Sequence, residues 1–199
     1  MTYSIIGTGN VGLTLAGIFS RAGIDVAIAN TRGPATIEPL IASLGQSVTA
    51  ATLDAALEAH VIFFAVPFLN FKDVAATRSD WTGKIVIDVT NAAFLPLDVQ
   101  ERELQGRLSS EVNADRVPGA NLVKAFNQLP MKGLVAPVAI PDGRRVVFVS
   151  SDDEASSALV AKLVSDLGYA PIELGKIAEG GRLIQARNAL IFQNLIKVG

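Results

Sequence analysis

Three glycines near the N-terminus carry the most definite chemistry in this sequence. They stand in the run Gly7-Thr8-Gly9-Asn10-Val11-Gly12, which has the spacing G-x-G-x-x-G. In that pattern the first glycine permits a tight turn out of a strand. The second lets the backbone approach a pyrophosphate, and the third lets the following helix pack closely on the strand. Thr8, Asn10 and Val11 complete the turn. The helix start offers free N–H groups and a positive dipole end to phosphate. The context is the required one: an apolar strand, Tyr3–Ile6, runs into Gly7, and helical spacing follows from Asn10 to Ala22. A glycine-rich structural turn is the competing explanation.

The second informative run is Asn30-Thr31-Arg32-Gly33-Pro34, at the end of the next expected strand. A site for NAD usually has an acidic residue here to accept the ribose 2′-OH. No carboxylate lies between Val26 and Ile37. Arg32 is instead a planar cation able to fork onto a 2′-phosphate, with Asn30 and Thr31 as neutral donors. Both differences favour NADP(H), although an exposed loop arginine would read the same way.

Three further strand ends complete the candidate site, because ligands on open α/β sheets bind beyond the carboxyl ends of the strands. Ala65, Val66 and Pro67 are expected to pack on the ribose and nicotinamide. Thr90, Asn91 and Ala92 would line the next strand end, and Lys124 and Asn127 bring a cation and an amide to the same edge. Each has a plainer alternative: Pro67 as a strand stop, Asn91 as an Asx-turn, Asp88 as a cap, Lys124 as a solvent-facing side chain. No catalytic acid, base or nucleophile is expected, because hydride transfer between stacked rings needs alignment more than a titrating side chain. His60 precedes a buried strand and so falls at the opposite edge of the sheet. Trp81 reads as core.

The elements that would hold these residues alternate between strand and helix. Strands are expected at Tyr3–Ile6, Asp25–Ala29, Val48–Ala50, Val61–Val66, Ile85–Val89, Asn121–Phe126, Val146–Ser150 and Pro171–Leu174. Helices are expected from Asn10 to Ala22, Pro34 to about Leu44, Thr52 to Ala59 with Thr52 as N-cap, about Phe68 to Thr77, and Asp152 to Leu167 with Asp152 as cap. One or two helical turns fall in Ser109–Asp115. Thr90–Arg107 reads as irregular, Gln128–Ala136 as helical or irregular, and Pro137–Arg145 as a loop. A closing helix is expected from about 182 to 198. The pattern is that of a Rossmann-type, doubly wound, mostly parallel α/β sheet, one domain over 1–199 with a C-terminal helix.

Composition narrows the function further. Half of the 199 residues are apolar and 18% are charged, as a sheet covered on both faces requires. A net charge of −2 gives no support to nucleic-acid binding. The absence of cysteine excludes thiolate chemistry, and a single histidine argues against a histidine metal site. No basic leader opens the chain, and no apolar run approaches the ~18 residues of a membrane span. A cytoplasmic protein is expected. No second block of ~100 residues follows the dinucleotide pattern to serve as a substrate domain.

Taken together, Gly7–Gly12, Asn30–Pro34, Ala65–Phe68, Asp88–Ala92 and Val123–Asn127 resemble the coenzyme F420-dependent NADP oxidoreductase family. Val146–Leu167 and Gly180–Leu190 resemble its later elements, so the likeness spans nearly the whole chain. The resemblance implies an enzyme in which NADP(H) exchanges a hydride with a deazaflavin, coenzyme F420, or in related domains with a flavin. It also implies a homodimer, to which an apolar closing helix (Leu183, Ile184, Leu190, Ile191, Phe192, Leu195 and Ile196) would contribute. Lys124, Lys132, Arg182 and Arg187 are candidates to hold the acceptor's anionic tail. A non-catalytic NADP(H) sensor and a reductase of another small acceptor are the alternatives.

Overall fold

The computed structural model describes residues 1–92, 95–137, 139–140 and 142–198. Six strands form a parallel sheet: β1 (Tyr3–Ile6), β2 (Val26–Ala29), β3 (Val48–Ala50), β4 (Val61–Phe64), β5 (Ile85–Asp88) and β6 (Asn121–Ala125). Their spatial order is β3-β2-β1-β4-β5-β6. This is the order of the doubly wound dinucleotide-binding sheet, with its reversal between β1 and β4.

Beyond β6 the direction changes. The long strand β8 (Gly143–Ser151) runs antiparallel to β6, and β9 (Ala170–Glu173) lies parallel to β8. The first residues of β8 also pair with β7 (Ala139–Ile140) and β10 (Ile196–Val198).

Successive strand residues point to opposite faces, so the sheet divides the core in two. Ile5, Phe63, Ile87 and Val123 pack with helix α1 (Asn10–Ala22) and helix α8 (Glu154–Asp166) on one face. Ile6, Phe64, Val86 and Leu122 face the other, with α3 (Leu53–Leu57), α4 (Phe71–Ala75) and the fully buried Trp81. Helix α1 ends as its sequence predicts, on Gly23 in the left-handed region with its N–H returned to Phe19 and Ser20. Thr52 caps α3 by accepting from the Ala55 N–H.

Several expectations are corrected. The helix expected from Pro34 to Leu44 divides into a 3₁₀ turn at Pro34–Thr36 and a short α2 (Glu38–Ile41). The one expected after Phe68 likewise begins as a 3₁₀ turn, Phe68–Asn70, before α4. The irregular stretch contains a helix, α5 (Leu97–Leu104). It is mostly polar and buries none of its residues. Helices α6 (Ser109–Asp115) and α7 (Met131–Val135) fall where turns of helix were expected. The cap of α8 is Asp153, which accepts from the Ser156 N–H, and Asp152 instead accepts from the Ile177 N–H. The expected 137–145 loop holds the β7–β8 turn, with Asp142 in the left-handed region.

The closing helix is absent. A π-helical turn at Ile177–Gly181 leads into turns and then β10. Arg187 and Phe192 adopt positive φ, which no α-helix accommodates, and the Phe192 N–H donates to the Gln128 carbonyl at 2.7 Å. The start of β8 offers unpaired backbone groups, and β10 satisfies them.

Candidate functional site

The glycine turn joins β1 to α1, at the reversal of strand order. Gly7 is buried at φ 117°, and a Cβ there would lie 2.3 Å from the Ala65 carbonyl oxygen. A Cβ on Gly12 would lie 1.9 Å from the Gly7 oxygen. The fold itself requires both. Gly9 differs: it has an ordinary backbone conformation, and a Cβ would meet no atom of the protein within 4 Å. The space over Gly9 is open and faces the start of α1. No side chain caps that helix and its first turn carries no acid, so its N–H groups are available to an anion.

The loop after β2 is held by Asn30. Its Nδ2 donates to Thr8 Oγ1 and to Thr36 Oγ1, both at 3.1 Å, and its Oδ1 accepts the Arg32 N–H at 2.8 Å. Asn30 therefore ties this loop to the glycine turn, with its own amide already engaged. Thr31 and Arg32 are exposed, and the Arg32 guanidinium has no hydrogen bond or ion pair among the described residues.

Between this loop, the glycine turn and the start of α4 lies a cleft of about 390 Å³. Val66 and Pro67 line it with Asn30 and Thr31, and Ala65 sits beneath at the end of β4, where its N–H donates to the Ile6 carbonyl. Asn70 and Asp73 line the opposite wall. The sequence marks neither, since they enter the cleft only through the turn into α4. A larger depression of about 490 Å³ lies by Thr2 and Asp25, at the amino ends of the strands. It is far from the glycine turn and close to His60, whose Nδ1 meets Thr2 Oγ1 at 2.8 Å.

The ends of β5 and β6 form the rest of the edge. Asn91 is half-buried and Ala92 buried. Lys124 does not present a free cation. It is 1% exposed, and its Nζ donates to Asp88 Oδ2 at 3.0 Å and to the Thr90 carbonyl at 2.5 Å. Burial pushes its ammonium below the ordinary lysine range, opposed by the Asp88 charge. Phe126 turns the chain with φ 61°, a conformation unusual for an aromatic residue. Asn127 follows, its Nδ2 donating to the Ile184 carbonyl at 2.7 Å while its buried Oδ1 has no partner among the described residues.

Two residues that the sequence does not mark extend this cluster. Asn113 donates to Thr90 Oγ1 at 3.2 Å and accepts from Arg116, whose guanidinium lies 5.0 Å from the centre of the Phe68 ring. Burial lowers the pKa of Arg116, opposed by Glu103 and by Asp88. Lys132, Arg182 and Arg187 are exposed and do not gather with Lys124. Among the described residues, no three His, Cys, Asp or Glu side chains gather as a metal site, and no helix is long and apolar enough to cross a membrane.

Residues 2–92 match the family model for NADP oxidoreductase, coenzyme F420-dependent. Among solved structures, a hypothetical protein of Sinorhizobium meliloti is 43% identical, with a TM-score of 0.93 over 99% of this chain and 96% of that one. A protein of Arthrobacter sp. FB24, provisionally named an F420-dependent NADP reductase, is 27% identical, with a TM-score of 0.69 over 89% of this chain and 86% of its own. A reductive aminase from Aspergillus terreus, in complex with NADPH and ethyl-5-oxohexanoate, shares the fold with a TM-score of 0.63 at 21% identity. The match covers 89% of this chain but only 56% of that enzyme. No curated protein matches the chain.

Proposed function

We propose, on the premise that this chain belongs through residues 2–92 to the coenzyme F420-dependent NADP oxidoreductase family, that it binds NADP(H) across the glycine turn and exchanges a hydride with a flat acceptor ring. The observation that carries this reading is the open space over Gly9. The fold explains Gly7 and Gly12, but nothing in the protein needs Gly9 to lack a side chain. A pyrophosphate against the bare backbone and the uncapped start of α1 does.

The rest of the cofactor then follows the cleft. The exposed Arg32 stands ready for the 2′-phosphate, with Thr31 beside it, and Asn30 holds their loop against Thr8. Val66 and Pro67 supply apolar contact. At the ends of β5 and β6, Asn91, Ala92 and Asn127 would border the nicotinamide end of the cofactor. Lys124 acts from beneath. When bound, the nicotinamide supplies the hydride chemistry, so the protein need only bind, align and exclude water.

The family description and the name of the Arthrobacter relative both favour coenzyme F420 over a flavin. The functional unit is read as one domain, 1–199, acting as a homodimer. Anaerobic stopped-flow oxidation of NADPH, with F420 and FMN offered separately, tests the acceptor. Rapid reduction of F420 alone is the expected result. Reduction of FMN alone would move the protein to the flavin reductases. Tight NADPH binding with neither acceptor reduced would overturn the catalytic reading in favour of a sensor.

A further inference from the structure

We infer that the buried pair Asp88–Lys124 is a positioning device for the nicotinamide end of the site, acting through Thr90 on the loop that carries Asn91 and Ala92. The inference rests on the NADP(H) reading above.

Asp88 and Lys124 are register partners on adjacent parallel strands, and their side chains are 0% and 1% exposed. Removing two charges from water is costly, and an apolar pair of similar size would hold these strands at least as well. Stability therefore gives no reason for the pair. What it does hold is Thr90. Asp88 Oδ1 accepts from the Thr90 N–H at 2.9 Å and from its Oγ1 at 2.7 Å, while Lys124 Nζ donates to the Thr90 carbonyl. Every polar group of Thr90 is thus engaged by one ion pair. The ladder between β5 and β6 ends at Asp88, so the next residues have no strand pairing to place them. The pair replaces it, one residue before Asn91.

The network reaches the neighbouring loop as well. Thr90 Oγ1 also accepts from Asn113, Asn113 accepts from Arg116, and Arg116 covers the ring of Phe68 beside Pro67. The loops after β4 and β5 are therefore set relative to one another. The adenosine end, at Asn30 to Arg32, has no part in this network, so loss of the pair should affect one end of the cofactor only.

Two double variants separate positioning from simple charge pairing. Asp88→Asn/Lys124→Met removes both charges but keeps an oxygen for the Thr90 N–H and hydroxyl. Asp88→Leu/Lys124→Met removes both charges and that oxygen. Neither strands a single buried charge. For each, the dissociation constants of NADPH and of adenosine 2′,5′-bisphosphate, which lacks the nicotinamide, are measured by calorimetry. The leucine double is expected to bind the bisphosphate as the parent does and NADPH about tenfold more weakly, the worth of one or two hydrogen bonds. The asparagine double, which loses only the Lys124 bond to the Thr90 carbonyl, should raise the NADPH-to-bisphosphate ratio less than the leucine double does. Equal ratios in the two doubles would overturn the inference. A parent that fails to bind the bisphosphate would instead overturn the NADP(H) reading itself. If the leucine double does not fold, Thr90→Val takes its place: a raised NADPH-to-bisphosphate ratio supports positioning, and an unchanged one refutes it.

Discussion

Asn30 and Arg32 lie two positions apart and have opposite fates. The amide of Asn30 is spent on Thr8, Thr36 and the Arg32 N–H, whereas the Arg32 guanidinium is left exposed without a partner among the described residues. Discrimination between the two dinucleotides should therefore rest on Arg32. A charge-assisted bond is worth ~1.5–3 kcal/mol, so Arg32→Ala should weaken NADPH roughly 10- to 150-fold and leave NADH nearly unchanged. Titration of both cofactors checks this, and equal losses would refute the 2′-phosphate assignment. Asn30→Ala should behave differently. It frees the loop from the glycine turn and should weaken both cofactors.

The element that matters most is the β1–α1 unit, and its glycines divide its work. Gly12→Ala would drive a Cβ to 1.9 Å from the Gly7 oxygen, between helix and turn. Overpacking of this kind costs ~1–3 kcal/mol or more, so the variant should melt earlier and lose dinucleotide binding together. Gly9→Ala meets no protein atom and keeps an allowed backbone. Its melting temperature should match the parent, while NADPH affinity falls by at least ~1.4 kcal/mol, a factor of ten. Thermal melts of both proteins beside binding isotherms make the comparison. A Gly9→Ala protein that binds normally would remove the main support for a pyrophosphate at the turn.

For the whole molecule, the proposed assembly rests on the segment after Gly181. Ile184 and Ile191 turn into the core, but Leu183, Phe192, Leu195 and Val198 remain exposed, with Val135 exposed on α7. Apolar exposure on this scale marks an interaction surface more often than a bare one. The proposed homodimer should appear in sedimentation at micromolar concentration, and a monomer there would rule it out. Leu183→Asp, Leu195→Asp and Val198→Asp together should shift the dimer toward monomer, since buried apolar contacts drive such association.

Much of the fold was legible because its signals are local. Tyr3–Ile6, the glycine turn and the periodicity of α1 occupy twenty consecutive residues, and the central strands β1, β4 and β5 are short, mainly apolar runs buried on both faces. The same locality makes Gly7–Gly12 and Arg32 readable as candidate site residues: the physics of a tight turn or of a missing carboxylate is written in neighbouring positions. The closing segment was misread because its apolar residues fit a helix equally well, and the unpaired start of β8 chose the strand. The burial of Lys124, expected as a cation at the strand edge, was not legible because its partner Asp88 stands 36 residues away. The sequence by itself determined the glycine turn, the alternation of strands and helices, and the absence of a carboxylate after β2 on which the proposed 2′-phosphate preference rests. Only the tertiary structure decided which polar groups are spent within the protein and which are left for a ligand, because hydrogen bonds between distant elements are settled by packing and leave no local trace.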